Sequence, residues 1–324
     1  MVFLPDATRQ AIERFDLEKR VPSVGAVADY CRFYHLDFED DFPDTQHTCG
    51  WFDLAGYQIL VHSFVPAQAK GTVFVVHGYL EHSGLYRHII PLLLQANFAV
   101  VIHDLPGHGL SSGVRASIGS FQEYQQILDG LLTFFAQRLP QPWLALGQST
   151  GGAILMDYVL TKAKQQQSPV FERLFFLAPL VYPARMQWWQ MKLAFWWFKA
   201  MRSGLPRAFR RNSSDLDFVR FMREEDPLQA RWIPLSWLLA LKEWVGYIRQ
   251  VPPCSMPVWV VQGEQDSTVN GQANVAFIRQ HLHLERVLWL HDASHQLVNE
   301  RADIRAPIEE LLQAFLEIPT NTRG

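Results

Sequence analysis

The chain has 324 residues, 29 Lys and Arg against 32 Asp and Glu for a formal net charge of -3, and 48% hydrophobic residues that include 11 Trp and 22 Phe. That is enough to bury one large core, with or without an insertion, and too evenly charged for a general nucleic-acid binder. Three widely spaced cysteines, Cys31, Cys49 and Cys254, suggest neither a disulfide framework nor a zinc site. Met1 to Asp6 reaches an acid too soon for a signal peptide, and no run of about 20 uncharged apolar residues occurs, so the expectation is a cytoplasmic protein without a spanning helix.

Residues 7–19 and 24–33 each suit a helix, and Asp37, Glu39, Asp40, Asp41 and Asp44 then form an acidic loop, which together read as a solvated connector packed on the main domain. From Gly50 the rhythm changes to short strands. Residues 51–54 and 58–65 flank Ala55-Gly56-Tyr57 as an antiparallel hairpin, and 71–78 is a continuous apolar run of the kind a parallel sheet buries on both faces. A helix at 86–95, a strand at 98–103 and a long amphipathic helix at 121–138 come next. A buried strand at 142–146 then turns into a helix, and 173–180 is the next strand. Strands alternating with helices predict an α/β fold, a mostly parallel sheet covered by helices on both faces.

The alternation stops after Leu180 and resumes at Pro257, with strands at 257–263 and 286–290 and helices at 271–282 and 306–316. A break of about seventy residues inside a repeating sheet reads as an inserted helical cap. The expected organisation is therefore an N-terminal extension over 1–49, a core over 50–180 and 254–324, and a cap over 181–253, with a cap helix at 235–248.

The chemistry centres on Gly147-Gln148-Ser149-Thr150-Gly151, a G-x-S-x-G sequence placed between a buried strand and a helix. In that setting the serine occupies a strained turn at the carboxyl edge of the sheet, and the glycines leave room for the backbone crossing. A serine hydroxyl needs a general base, and the base needs an orienting acceptor. Chain order in such sheets is serine, acid, histidine, which selects Asp266 after the 257–263 strand and His295 after the 286–290 strand. Asp292 and His291 are the nearest rivals, while His77, His82, His103 and His108 precede the serine and read as structural. Backbone donors for an oxyanion are expected at Thr150, at the start of its helix, and at Tyr79, in the loop after the 71–78 strand.

The stretches His77-Gly78-Tyr79-Leu80-Glu81-His82-Ser83-Gly84, 103–111, the serine turn, Gly263-Glu264-Gln265-Asp266 and Ala293-Ser294-His295 resemble the α/β-hydrolase superfamily. More narrowly they resemble its monoacylglycerol lipase and bacterial lysophospholipase branch, over about residues 51–316. The resemblance implies a serine esterase with triad Ser149, Asp266 and His295, oxyanion donors at Tyr79 and Thr150, and no metal or cofactor. Two residues depart from the pattern: Gln148 stands where many members have His, and Tyr79 is bulkier than the small residue common in monoacylglycerol lipases.

Residues 186–201 are apolar nearly all round if helical, and 185–211 carries Arg185, Lys192, Lys199, Arg202, Arg207, Arg210 and Arg211 with no acid. That composition suits packing of the cap, an acyl channel lined by Trp188, Trp189, Phe195 and Trp196, and a peripheral contact with anionic membrane. The expected function is hydrolysis of carboxylic esters of single-chain lipids, monoacylglycerols or lysophospholipids, through an acyl-enzyme. The same triad also serves short-chain esterases, proline-type aminopeptidases, acyltransferases and carbon–carbon hydrolases, and a non-catalytic lipid-binding scaffold is the reading from another class.

Overall fold

The computed structural model describes residues 3–184, 204–207 and 211–317. Ten strands and nine α-helices are assigned among them. The strands are β1 Thr45–Leu54, β2 Tyr57–Pro66, β3 Thr72–Val76, β4 Ala99–His103, β5 Trp143–Gln148, β6 Arg173–Leu177, β7 Leu205–Pro206, β8 Trp232–Ile233, β9 Pro257–Gly263 and β10 His283–Leu290. The helices are α1 Pro5–Ala11, α2 Ala26–Tyr34, α3 Ile89–Gln95, α4 Phe121–Phe135, α5 Thr150–Lys164, α6 Leu216–Arg220, α7 Leu235–Ile248, α8 Gly271–His281 and α9 Ala302–Glu317.

Eight strands make one sheet in the order β1-β2-β4-β3-β5-β6-β9-β10. The hairpin β1–β2 and the β2–β4 pair are antiparallel, and every pair from β4 to β10 is parallel. Strand order reverses at β3, because β4 lies on one side of it and β5 on the other. The carboxyl ends of β3 and β5 therefore diverge into a crevice, where open α/β sheets bind ligands. Both strands are buried along their whole length, as their mostly apolar sequence suits, with Thr72 and Gln148 the buried polar exceptions.

Side chains alternate between two cores. Phe74 and Val76 join a cluster with residues of α4, α5, α7 and α8, while Val73 and Val75 join one with α2, α3 and α9. The predicted 7–19 helix stops at Ala11, because the next residues pair with the free edge of β1: Phe15 N–H donates to Trp51 O, and Trp51 N–H donates to Glu13 O. Nor is the N-terminal segment only a solvated connector. Its acids are exposed, but Tyr30 and Tyr34 are fully enclosed in the second core. Strand β1 begins at Thr45, ahead of the change of rhythm at Gly50.

Strands β6 and β9 pair directly, so the chain leaves the sheet at Leu177 and returns at Pro257. Between them, α7 docks through Trp237, Ala240, Leu241, Trp244, Val245 and Ile248, which recur at helical spacing and are buried. No helix among the described residues is long and apolar enough to cross a membrane.

Buried imidazoles make the fold sensitive to acid. Burial, with a smaller contribution from His47, lowers His62 to about 3, and burial lowers His103 and His108 to about 4. The native state therefore binds fewer protons than the unfolded chain between those values and the ordinary value of about 6.5. Stability from these groups is complete above that value and falls as pH drops through the window, by up to about 1.4 kcal/mol per pH unit for each imidazole. Asp157, raised to about 6 by burial, and Glu81 and His295, also raised, act in the opposite sense, but burial lowers His47, His77 and His88 as well. Urea midpoints measured at pH 7.5 and pH 5 should show a clear loss at the lower value, and equal midpoints would contradict this reading.

Candidate active site

Ser149 sits between β5 and α5 with φ 50° and ψ -110°, a conformation that non-glycine residues seldom adopt. The turn is fixed on both sides: Ser149 N–H donates to Leu177 O, and Ser149 O accepts from Leu180 N–H and Ala153 N–H. Two glycines make the turn sterically possible. A Cβ at Gly147 would lie 2.5 Å from Gly152 N, and one at Gly151 would lie 1.9 Å from Val76 O. The second contact brings the end of β3, and with it the loop holding Tyr79, against the start of α5.

The hydroxyl of Ser149 donates to His295 Nε2 at 2.9 Å, and His295 Nδ1–H donates to Asp266 Oδ2 at 2.7 Å. The carboxylate fixes the imidazole tautomer, leaving the Nε2 lone pair toward the serine. Asp266 is itself anchored, with Oδ1 accepting from Thr268 N–H at 2.7 Å and Val269 N–H at 3.1 Å, and Oδ2 from Gln262 Nε2 at 3.1 Å. Gly263 allows its loop to meet the histidine loop, since a Cβ there would lie 2.3 Å from Ser294 O. Burial opposes the charge on both partners. The opposite charges and their hydrogen bond nevertheless hold His295 above the ordinary imidazole range and Asp266 below the ordinary carboxylate range.

All three residues selected from chain order thus meet, and the rivals do not. Asp292 is exposed, and His291 is an exposed partner of Glu264 at 2.9 Å. His77 accepts from Leu105 N–H at 2.9 Å and donates to Gly78 O at 2.7 Å, and His108 donates to Pro106 O at 2.8 Å, so both are structural. The backbone N–H groups of Tyr79 and Thr150 are committed to no acceptor among the described residues. Trp188, Trp189, Phe195 and Trp196 lie outside the described residues. Among the described residues no group of His, Cys, Asp and Glu is arranged to hold a metal ion.

Three supporting residues have roles that the sequence alone did not assign. Gln148 is fully buried and its Nε2 donates to His295 O at 2.8 Å, so the departure from the pattern at this position holds the histidine backbone. Glu81 is buried beneath the loop after β3 and accepts from Gly78 N–H at 3.0 Å, Tyr86 OH at 2.8 Å and Gln296 Nε2 at 2.7 Å. It thereby ties the Tyr79 loop to the His295 loop. Glu300 accepts from Ser294 N–H and Ser214 N–H, each at 2.6 Å, joining the histidine loop to the segment between β6 and β9. The His-Gly-x-x-Glu-His-Ser-Gly stretch was the available signal for Glu81; Glu300 had none.

A model of the serine aminopeptidase S33 family, Hydrolase_4, matches residues 67–302, which contain the serine turn, the acid and the histidine. The chain belongs to this family of α/β-hydrolases. Phospholipase YtpA of Bacillus subtilis is 32% identical over 107 residues, 33% of this chain and 39% of that protein. Monoglyceride lipase of Homo sapiens is 24% identical over 270 residues, 79% of this chain and 85% of that protein. The crystal structure of monoacylglycerol lipase from Paleococcus ferrophilus superposes with a TM-score of 0.67 at 21% identity, covering 80% of this chain and 98% of that one. That likeness is one of fold.

A cavity of about 470 Å³ lies elsewhere, between α4, α5 and α7, and Ser149, Asp266 and His295 do not line it. Its buried carboxyl, Asp157, accepts from Gln125 Nε2 at 2.8 Å. The hydrogen-bonded serine, and not this cavity, is the candidate centre of chemistry.

Proposed function

We propose that this hydrolase cleaves carboxylic esters of single-chain lipids, a monoacylglycerol or a lysophospholipid, through an acyl-enzyme on Ser149. The observation that carries the reading is the continuous relay from the Ser149 hydroxyl through His295 to Asp266, with bonds of 2.9 and 2.7 Å. His295 takes the hydroxyl proton as Oγ attacks the ester carbonyl, and Asp266 stabilises the imidazolium that forms. The carbonyl oxygen becomes an oxyanion and accepts from the N–H groups of Thr150 and Tyr79, the first of them at the positive end of α5. Collapse of the tetrahedral intermediate breaks the ester C–O bond, and the leaving alcohol takes the proton from His295. Water, deprotonated by the same Nε2, then attacks the acyl-enzyme; release of the fatty acid restores the serine.

The lipid substrate is supported by the names of the relatives, a phospholipase and monoglyceride lipases. We further infer that residues 181–253 form a cap over the site, and that its basic, aromatic stretch at 185–211 meets anionic lipid. Aminopeptidase activity is the second reading, favoured by the family's description. A peptide's terminal ammonium would need an available carboxylate near the serine. The buried carboxylates of the surrounding loops are already engaged: Glu81 by Gly78, Tyr86 and Gln296, Asp104 by Ser83 and the Leu110 N–H, Asp226 by His82, Tyr34, Gln229 and the Leu228 N–H, and Glu300 by the Ser294 and Ser214 N–H groups. No acid occurs in 185–211.

The test is turnover of an acyl series by the wild type: short soluble esters, a long-chain monoacylglycerol and a lysophospholipid, the long-chain lipids presented in neutral and anionic vesicles, and an aminoacyl amide. Preference for the long single-chain esters, faster in anionic than in neutral vesicles, is the expected result. Turnover confined to short esters would remove the lipid part, equal rates in both vesicles would remove the electrostatic part, and amide cleavage alone would establish the peptidase.

A further inference from the structure

Tyr79 is unusually well fixed for a residue whose only required group is its backbone N–H. Its ring lies against the Trp237 indole with centroids 3.6 Å apart and planes 13° apart, and His108 meets it edge-on at 5.3 Å. Its hydroxyl donates to Ala116 O at 2.7 Å. On the backbone side Glu81 holds the Gly78 N–H, and Leu80 has φ 66°. The Gly78–Tyr79 peptide, which carries the N–H in question, is thus held at its carbonyl, where Gly78 O accepts from His77 Nδ1–H at 2.7 Å and Glu81 N–H at 3.2 Å, and at its other end by the Tyr79 ring.

Trp237 belongs to α7, in the segment inserted between β6 and β9, and not to the sheet. Two further contacts dock that helix: Ser236 Oγ lies 2.6 Å from Ser117 Oγ, next to the carbonyl that receives the Tyr79 hydroxyl, and Trp244 stacks on Phe121 at 4.8 Å and 15°. Trp237 and Trp244 are two helical turns apart and therefore share a face. A small side chain at position 79 would leave the loop free of α7. With tyrosine there, the inserted segment touches the residue that carries the donor.

We propose that Trp237 is a positioning residue for the oxyanion hole, and that its stack on Tyr79 makes alignment of the Tyr79 N–H depend on the docking of α7. The inference rests on the proposed role of the Tyr79 N–H as an oxyanion donor. Removing the indole leaves Ser149, His295 and Asp266 hydrogen-bonded and Gly78 O held by His77 and Glu81, but it loosens the Tyr79 end of the peptide and the aim of its N–H, so the cost falls on the transition state and not on substrate binding.

Kinetics of Trp237→Ala, Trp237→Phe, Tyr79→Ala and the double Trp237→Ala/Tyr79→Ala variant, beside Ser149→Ala as control, test this on the full chain. Trp237→Ala should lower kcat roughly tenfold with little change in KM, and Trp237→Phe should restore most of it. Affinity for an alkyl trifluoromethyl ketone, whose adduct carries the oxyanion, should fall by the same factor while affinity for the fatty-acid product is retained. The double variant should be no worse than Tyr79→Ala alone, because that change already removes the stack together with the hydrogen bond to Ala116 O. If Trp237→Ala does not fold, Tyr79→Ala removes the same stack from the other side, with the hydroxyl bond to Ala116 O, and should show at least the same loss. A wild-type kcat in either variant, or losses that multiply in the double variant, would overturn the coupling while leaving a Ser149-dependent esterase in place. Turnover that survives Ser149→Ala would overturn the esterase reading and the coupling with it.

Discussion

Ser149→Ala is expected to lower ester turnover by about five to six orders of magnitude while the fold is retained. The change deletes one oxygen from a side chain that is already buried, and alanine keeps the same Cβ at the strained turn. The backbone bonds of residue 149 with Leu177 O, Leu180 N–H and Ala153 N–H remain. What disappears is the proposed nucleophile, and with it the proposed covalent route. The oxyanion donors and the binding site would still act on water attack, which accounts for a small residual rate above the uncatalysed reaction. Turnover and the urea midpoint should be measured on the same preparation. An unchanged midpoint with residual turnover above about a thousandth of wild type would place the nucleophile elsewhere.

Asp266→Asn should cost about ten-thousandfold in kcat, whereas Asp292→Asn should cost almost nothing. The reason lies in the donors around the carboxylate. Oδ1 accepts two backbone N–H groups, from Thr268 and Val269, so an asparagine must place its carbonyl oxygen there. Its NH₂ then faces His295 Nδ1, where a donor now stands in place of the acceptor. The imidazole is driven to the tautomer protonated at Nε2, which cannot take the serine proton. The same NH₂ also meets Gln262 Nε2, a second donor, at the former Oδ2 position. Asp292 is solvent-exposed and makes no comparable contact with His295. The reverse ranking of the two variants would move the acceptor to Asp292.

The order of strands and helices, the parallel sheet and the choice of Ser149, Asp266 and His295 were legible in the sequence because each rests on local pattern. Unbroken apolar runs mark strands buried on both faces, helical spacing marks α4 and α7, and two glycines flanking a serine mark a turn that side chains would obstruct. Where a segment's backbone partners lie outside it, the local pattern misleads. The predicted first helix ends at Ala11 because residues 13–15 bond to β1 instead.

What only the tertiary structure decided is how distant segments hold one another. Glu81 reaches Gln296 and Gln148 reaches His295 O, contacts between residues far apart in sequence whose polar side chains on their own would read as solvated. The stack of Trp237 on Tyr79 is of the same kind: the sequence shows an apolar helix and a bulky residue after a strand, and nothing local says that they touch. Local propensity and burial periodicity are properties of a few neighbouring residues, so the sequence by itself determined the elements and the choice of the three candidate residues that the fold brings together. The supports that aim those groups arise only when the chain closes on itself, because desolvation of a buried Glu or Gln is tolerated only where folding supplies its partners.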